Sequence, residues 1–319
     1  MSFKSKFRNC AIATGAVLGI MHVANRVFYH FSTMNNFLYN KDELYYESKF
    51  GKIYYTRSGS GSPILLIHDL DVCSSSYEWN KVIKEFSKKN TVYTFDLLGC
   101  GCSDKPYLTY TNYLYVQLIE EFIENVIGNK TNIIATGHSS SIALMSCINN
   151  NTNINKVILV NPENLTSLSK VPTNHSKIYK YLLCTPIVGT FIYNMLVNKT
   201  TIQNTFKTEY FFDQSKIKER DIVTYYESSH KSNTQAKYLY SSIKAGYTNA
   251  NVLNFLNKID NSIYIITGNS NPENDLNANQ YQNLLPSIEI LAIDKAKYLP
   301  QLEVPEKFTE TISVILEEI

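Results

Sequence analysis

The stretch NIIATGHSSSIALMSCI, Asn132 to Ile148, decides the fold. Asn132–Thr136 is a short run of apolar and β-branched residues and predicts a buried strand. Ser140–Ile148 carries apolar residues at helical spacing and predicts a helix. Between them lies Gly137-His138-Ser139-Ser140-Ser141. A reactive hydroxyl on a sharp strand-to-helix turn needs small residues two places before and after it, because larger ones would clash across the turn. Gly137 and Ser141 meet that need for Ser139. The helix N-terminus adds backbone N–H groups and a positive dipole end, which suit a developing oxyanion. An ordinary turn with a serine cap has the same local pattern.

Outward from this segment, strands and helices alternate. Upstream, two Tyr-rich runs flank Phe50-Gly51 and predict a hairpin. Ile64–His68 is a strand, Tyr77–Phe86 a helix, Thr91–Asp96 a strand, and Tyr113–Ile127 an amphipathic helix ending at Gly128. Downstream, Lys156–Asn161 is a strand. Residues 165–259 are mostly helical in pattern. Strands resume at Ser262–Gly268 and Ser287–Ile293, and a last helix covers Val304–Leu316. This order implies an α/β fold: a mostly parallel central sheet flanked by helices, with an inserted helical cap and an N-terminal helix. The division expected is 1–40 as a basic and apolar segment, 41–164 with 260–319 as the core, and 165–259 as the cap.

Composition narrows the function. The 319 residues hold 30 Lys+Arg against 28 Asp+Glu, a net charge of +2, which gives no bulk reason to bind nucleic acid. The six cysteines show neither C-x2-C spacing nor a following histidine, so no metal site and no cofactor is expected. Cys147 reads as core. Only six histidines exist: His22, His30, His68, His138, His175 and His230.

The first 40 residues raise the membrane question. Lys4, Lys6 and Arg8 precede an uncharged run from Asn9 to Asn25, closed by Arg26. A spanning helix needs about 20 apolar residues and at least about 17. Three readings stay open: a membrane anchor, a helix packed on the domain or lying in the interface, and a cleaved signal. If the run spans, its basic flank favours the N-terminus inside and the domain outside. The expected location is a bacterial cell membrane, reached through this helix, on an otherwise cytoplasmic protein.

Two further motifs complete the pattern: Asp96-Leu97-Leu98-Gly99-Cys100-Gly101-Cys102-Ser103-Asp104-Lys105-Pro106, and Ile67-His68-Asp69-Leu70-Asp71. With the elbow and the run Leu299–Phe308, they resemble the α/β-hydrolase superfamily, particularly its capped esterase, epoxide-hydrolase and dehalogenase members. The resemblance covers about Lys52 to the C-terminus. It implies a serine nucleophile, an acid after the strand that follows the cap, and a late histidine. Ser139 matches the nucleophile. The acid position reads Asn271 and the histidine position reads Tyr298. The oxyanion donors would be the backbone N–H groups of Leu70 and Ser140, with Asp69 standing where the family has glycine.

These departures matter. A serine hydroxyl is a weak nucleophile without a base, and a tyrosine with a pKa near 10 is protonated at neutral pH. Replacements for the base are His175 and His230, which lie in the cap, then His138, His68 and Tyr298 itself. Glu163 and Glu273 could supply the acid. Two functions follow: a weak or unconventional serine hydrolase acting on an ester or lipid-like substrate, or a non-catalytic pseudohydrolase that binds an apolar ligand or a protein partner near a membrane. Nothing in the sequence fixes the oligomeric state.

Overall fold

The computed structural model describes residues 3–39, 43–149 and 152–317, so the domain boundary expected at 40/41 lies outside the described residues. Among the described residues, eight strands form one sheet: β1 (Leu44–Ser48), β2 (Gly51–Ser58), β3 (Ser62–Ile67), β4 (Asn90–Phe95), β5 (Thr131–Thr136), β6 (Ile154–Val160), β7 (Ile263–Gly268) and β8 (Glu289–Ile293). Their order is β1-β2-β4-β3-β5-β6-β7-β8. The β1–β2 hairpin pairs antiparallel, with Ser48 opposite Gly51, and β2 joins β4 antiparallel. Every later pairing is parallel.

Thirteen α-helices accompany the sheet among the described residues. They are α1 (Phe3–Thr33), α2 (Ile83–Phe86), α3 (Asn112–Phe122), α4 (His138–Asn149), α5 (Leu165–Leu168), α6 (Asn174–Cys184), α7 (Ile187–Leu196), α8 (Lys199–Thr205), α9 (Glu219–Thr234), α10 (Lys237–Lys244), α11 (Pro272–Leu284), α12 (Pro300–Glu303) and α13 (Pro305–Glu317). Six of them, α5 to α10, fall between β6 and β7, where the sequence leaves the strand–helix alternation.

The period-2 geometry of the strands builds two cores. Leu65 and Ile67 of β3 face one side, with Ile133, Leu159 and the residues of α3 and α4. Ile64 and Leu66 face the other, with Trp79, Phe308 and Ile312. All four β3 side chains are fully buried. Each contributes roughly 1.5–3 kcal/mol relative to exposure.

Two local expectations are corrected. The helix expected over Tyr77–Phe86 is broken into a 3-10 turn at Ser76–Trp79 and the four-residue α2. The Ser75 side chain accepts from Tyr77 N–H, and Asp96 Oδ1 accepts from Ser76 N–H at 2.7 Å, which pins the turn to the β4 end. The second correction concerns α4. It begins at His138, two residues earlier than the spacing suggests.

Candidate active site

Where β5 becomes α4, the chain turns on one residue. Gly137 has φ +55°, in the left-handed region that glycine tolerates without penalty. Its N–H still donates to Val160 O on β6 at 2.9 Å, and its carbonyl accepts from Ser140 N–H at 3.1 Å. Gly137 is therefore the apex between strand and helix. A Cβ on it would overlap the Tyr298 hydroxyl and come within 2.6 Å of Asp69 Oδ1.

The expected elbow register is thereby corrected by two residues. Ser139 stands inside the first turn of α4 and is 1% exposed. Its hydroxyl donates to His68 O at 2.7 Å. Ser140 N–H is spent on Gly137 O, so it is not the free oxyanion donor that the sequence suggested. The small residues flanking Gly137 at two places are Ala135 and Ser139. The sequence offers this second register as well, but nothing in it chooses between the two.

Tyr298, which the sequence resemblance set at the histidine position, fills the space above the apex. Its hydroxyl donates to Asp69 Oδ2 at 2.9 Å, and its ring stacks on Tyr210 with centroids 5.4 Å apart. Burial and the neighbouring Asp69 carboxylate push its phenol well above the ordinary value, so it remains a protonated donor. Asn161 fixes the loop carrying it. The Asn161 amide donates to Lys297 O and Tyr298 O at 3.0 and 2.8 Å, while its Oδ1 accepts from Gly268 N–H at 2.9 Å. One side chain thus joins the ends of β6 and β7 to the Tyr298 loop.

Asp69 closes the other side of the apex. Its Oδ1 accepts the His138 N–H at 2.9 Å. That N–H follows the apex, where a hydrolase would present an oxyanion donor. The carboxylate therefore points into the hole rather than away from it. Burial pushes the Asp69 carboxyl up to about 7, with the charges of Glu163 and Asp71 adding to the rise. Glu78 lies behind it, accepting from Asp69 N–H at 3.2 Å and from Gln301 Nε2 at 2.8 Å, and burial raises its carboxyl to about 8.

His138 faces acceptors at both ring nitrogens: Glu163 Oε2 at 3.0 Å from Nδ1, and Thr248 O at 2.9 Å from Nε2. Two acceptors call for two ring protons. Burial works against the charged ring, but the hydrogen bond and charge of Glu163 hold it up to about 9. Glu163 is held below the usual carboxylate range by the same pairing, against its own burial. Both groups are spent on each other.

The remaining candidates lie elsewhere or serve as structure. Asn271 lines the cavity but is the cap of α11, its side chain accepting from Glu273 N–H. His68 is buried, with Nε2 accepting from Leu97 N–H at 3.0 Å and Nδ1 against Asp69 O at 2.7 Å. His230 packs between Tyr193 and Tyr226, and burial lowers it to about 4. His175 is exposed on the cap, and His22 and His30 are on α1. Cys147 is buried, as expected of core. The Asp96–Pro106 loop is scaffolding: Asp96 Oδ2 accepts from Cys102 N–H at 2.6 Å, and Ser103 Oγ donates to Asp96 O at 2.5 Å.

Above the apex lies a cavity of about 730 Å³. Tyr298, Asp69, Leu70 and His138 form part of its wall, and Tyr210, Ile243 and Lys244 approach from the cap side. Its lining is polar, with carboxyls of Asp69, Asp71, Glu163, Glu209 and Glu273 against the single Lys244 ammonium and the paired His138. Among the described residues, no group of three or more His, Cys, Asp or Glu side chains has the geometry of a metal site.

Comparison with known proteins agrees with the topology. The Alpha/beta hydrolase family profile matches residues 64–207. A soluble epoxide hydrolase from a Corynebacterium species is 26% identical over 109 residues, 34% of this chain and 37% of that protein. A 2-hydroxy-6-oxo-6-(2'-aminophenyl)hexa-2,4-dienoic acid hydrolase of Metapseudomonas resinovorans is 25% identical over 108 residues, 33% of this chain and 37% of the relative. The chain thus matches little more than a third of the length of these relatives. Among solved structures, the Cif epoxide hydrolase from Acinetobacter nosocomialis superposes with a TM-score of 0.72 at 16% identity, covering 92% of this chain and 96% of that one. The bromoperoxidase from Bacillus anthracis gives 0.69 at 13% identity, covering 87% and 100%. At such identities the likeness is one of fold.

Proposed function

We propose that this chain, which has the α/β-hydrolase fold and matches the Alpha/beta hydrolase family over residues 64–207, is a non-catalytic member of that superfamily. Its cavity holds a small polar ligand, and its N-terminal helix ties it to a membrane. The observation that carries this reading is the Gly137–Tyr298 pair. The apex of the turn has no side chain, and the space a nucleophile would occupy contains a protonated phenol. Asp69 occupies the neighbouring donor, so a developing oxyanion would meet a carboxyl there rather than a free N–H. The carboxyl-rich lining favours a ligand bearing hydroxyl or amine groups over the apolar one expected from sequence.

The membrane part rests on α1, which is long and apolar enough to cross a bilayer and contains no Asp or Glu. Residues of the free protein would be labelled with a fluorophosphonate probe and assayed on a panel of acyl esters. The reading expects no adduct and no turnover that depends on Ser139. An adduct on Ser139, or turnover abolished by Ser139→Ala, would overturn it.

The unconventional-hydrolase reading retains one favourable observation. Asp69 lines the cavity with its carboxyl near 7, a suitable value for general acid–base work. Turnover of any substrate that survives Ser139→Ala and is lost in Asp69→Asn would favour it.

A further inference from the structure

Helix α1 is two-faced along its second half. Met21, Asn25, Phe28 and Ser32 follow helical spacing and dock on the domain. Asn25 Nδ2 donates to Ile187 O at 3.0 Å, Asn194 Nδ2 donates to Asn25 Oδ1 at 3.0 Å, and Ser32 is fully buried. The opposite stripe is also apolar. Ile20, Val23, Val27 and Phe31 are 70, 62, 47 and 61% exposed. A surface helix ordinarily turns polar residues outward. Here the outward stripe needs a cover of its own.

Length and charge name that cover. Before docking begins at Met21, the uncharged stretch of α1 is Asn9 to Ile20, preceded by Lys4, Lys6 and Arg8. At 1.5 Å per residue it reaches about 18 Å, short of the roughly 30 Å of bilayer hydrocarbon. Spanning would require pulling Asn25 off Ile187 and Asn194, and the buried Ser32 out of the domain, into lipid. Lying flat requires no such change. The helix has no carboxylate to repel an anionic surface. Arg8 and Arg26 are separated by about five full turns, so they project along the same edge, beside the apolar stripe. Arginine there reaches headgroup phosphates while its stem covers apolar surface.

We propose that α1 lies in the plane of one leaflet of an anionic bilayer, clamped between lipid on its Ile20–Phe31 face and the cap on its Asn25–Ser32 face. This rests on the membrane reading given above and specifies its geometry: an in-plane helix, not a span.

Native Cys10 provides the test. It is exposed and lies about five turns before Phe28, on the edge of the helix across from Arg8 and Arg26, so in the flat pose it stays at the aqueous side of the interface. The full chain is floated with vesicles of phosphatidylcholine containing roughly one-third phosphatidylglycerol, and with phosphatidylcholine alone. An impermeant maleimide is then added outside, and modified cysteines are identified by peptide mass. The proposal expects flotation on the anionic vesicles, weakened about tenfold or more without phosphatidylglycerol and in Val27→Asp, with Cys10 labelled without detergent. Flotation with Cys10 protected until detergent is added would overturn the flat pose and leave membrane attachment standing. Equal flotation on both vesicle types would overturn the anionic requirement. Failure to float on either would sink the membrane reading itself.

Discussion

The Tyr298 hydroxyl occupies the position that a side chain on Gly137 would need. Each residue is intelligible through the other. Tyrosine reaches further than histidine, so the histidine slot can hold it only if the apex beneath is bare. Glycine in turn adopts φ +55° at the apex at no cost, and its missing Cβ leaves room for the phenol. Asp69 locks the arrangement by accepting from Tyr298 Oη at 2.9 Å and from His138 N–H at 2.9 Å.

Stability should respond to Asp69 through its proton. Its folded pKa is raised from 3.8 to about 7. A carboxyl so raised binds its proton more tightly when folded, so its contribution to stability is full below about pH 4 and is lost as pH rises through about 7. Asp69→Asn keeps an acceptor for His138 N–H and removes this loss. In urea titrations it should gain on the wild type by on the order of 1 kcal/mol or more between about pH 5 and pH 8. A constant difference across that range would show that Asp69 is an ordinary carboxylate.

The His138–Glu163 pair acts over a higher window. The imidazole is raised from 6.5 to about 9. Its contribution is therefore full below about pH 6.5 and fades as pH rises through about 9. Glu163→Gln leaves a buried ring without its anion and should cost about 1–3 kcal/mol at neutral pH. It should also remove the alkaline fall in stability, as read by thermal melts from about pH 6 to pH 10. A variant that melts like the wild type throughout would contradict the ion pair.

The cavity lining predicts ligand sign. Five carboxyl groups face one lysine ammonium and one paired imidazolium. A small aliphatic diamine should raise the melting temperature in a concentration-dependent way, because a ligand bound only to the folded state stabilises by RT ln(1 + [L]/Kd). A fatty acid of similar length should not. Glu209→Gln with Glu273→Gln should weaken the diamine effect. Stabilisation by the fatty acid alone would restore the apolar-ligand expectation.

Much of the fold was legible because burial writes itself into the strands. Ile64–His68, Thr91–Asp96 and Lys156–Asn161 are apolar runs too short to be helices, and all become central strands within a residue or two. The expected histidine and acid positions were assigned to Tyr298 and Asn271 by linear order alone, beside Leu299-Pro300-Gln301 and Gly268. The apex was not. Gly137-His138-Ser139-Ser140-Ser141 and Ala135-Thr136-Gly137-His138-Ser139 both offer small residues at the flanking positions, and the visible serine drew the first register. Only the φ of Gly137 and the start of α4 at His138 separate them. The direction of the Asp69 carboxylate was also beyond the sequence, because it depends on the first residue of α4, 69 residues away in the chain.

A double-mutant cycle on Gly137 and Tyr298 tests the central claim most directly. Gly137→Ala introduces a Cβ against the phenol and a side chain at positive φ, and should cost several kcal/mol, on the order of 2–4, in urea unfolding. Tyr298→Phe removes only the hydroxyl that the Cβ would strike. If the hydroxyl fills the nucleophile's place, Gly137→Ala should cost at least about 1 kcal/mol less in the Tyr298→Phe background than alone. Costs that add to within about 0.5 kcal/mol would mean that the two residues do not meet, and the account of a closed apex would fail.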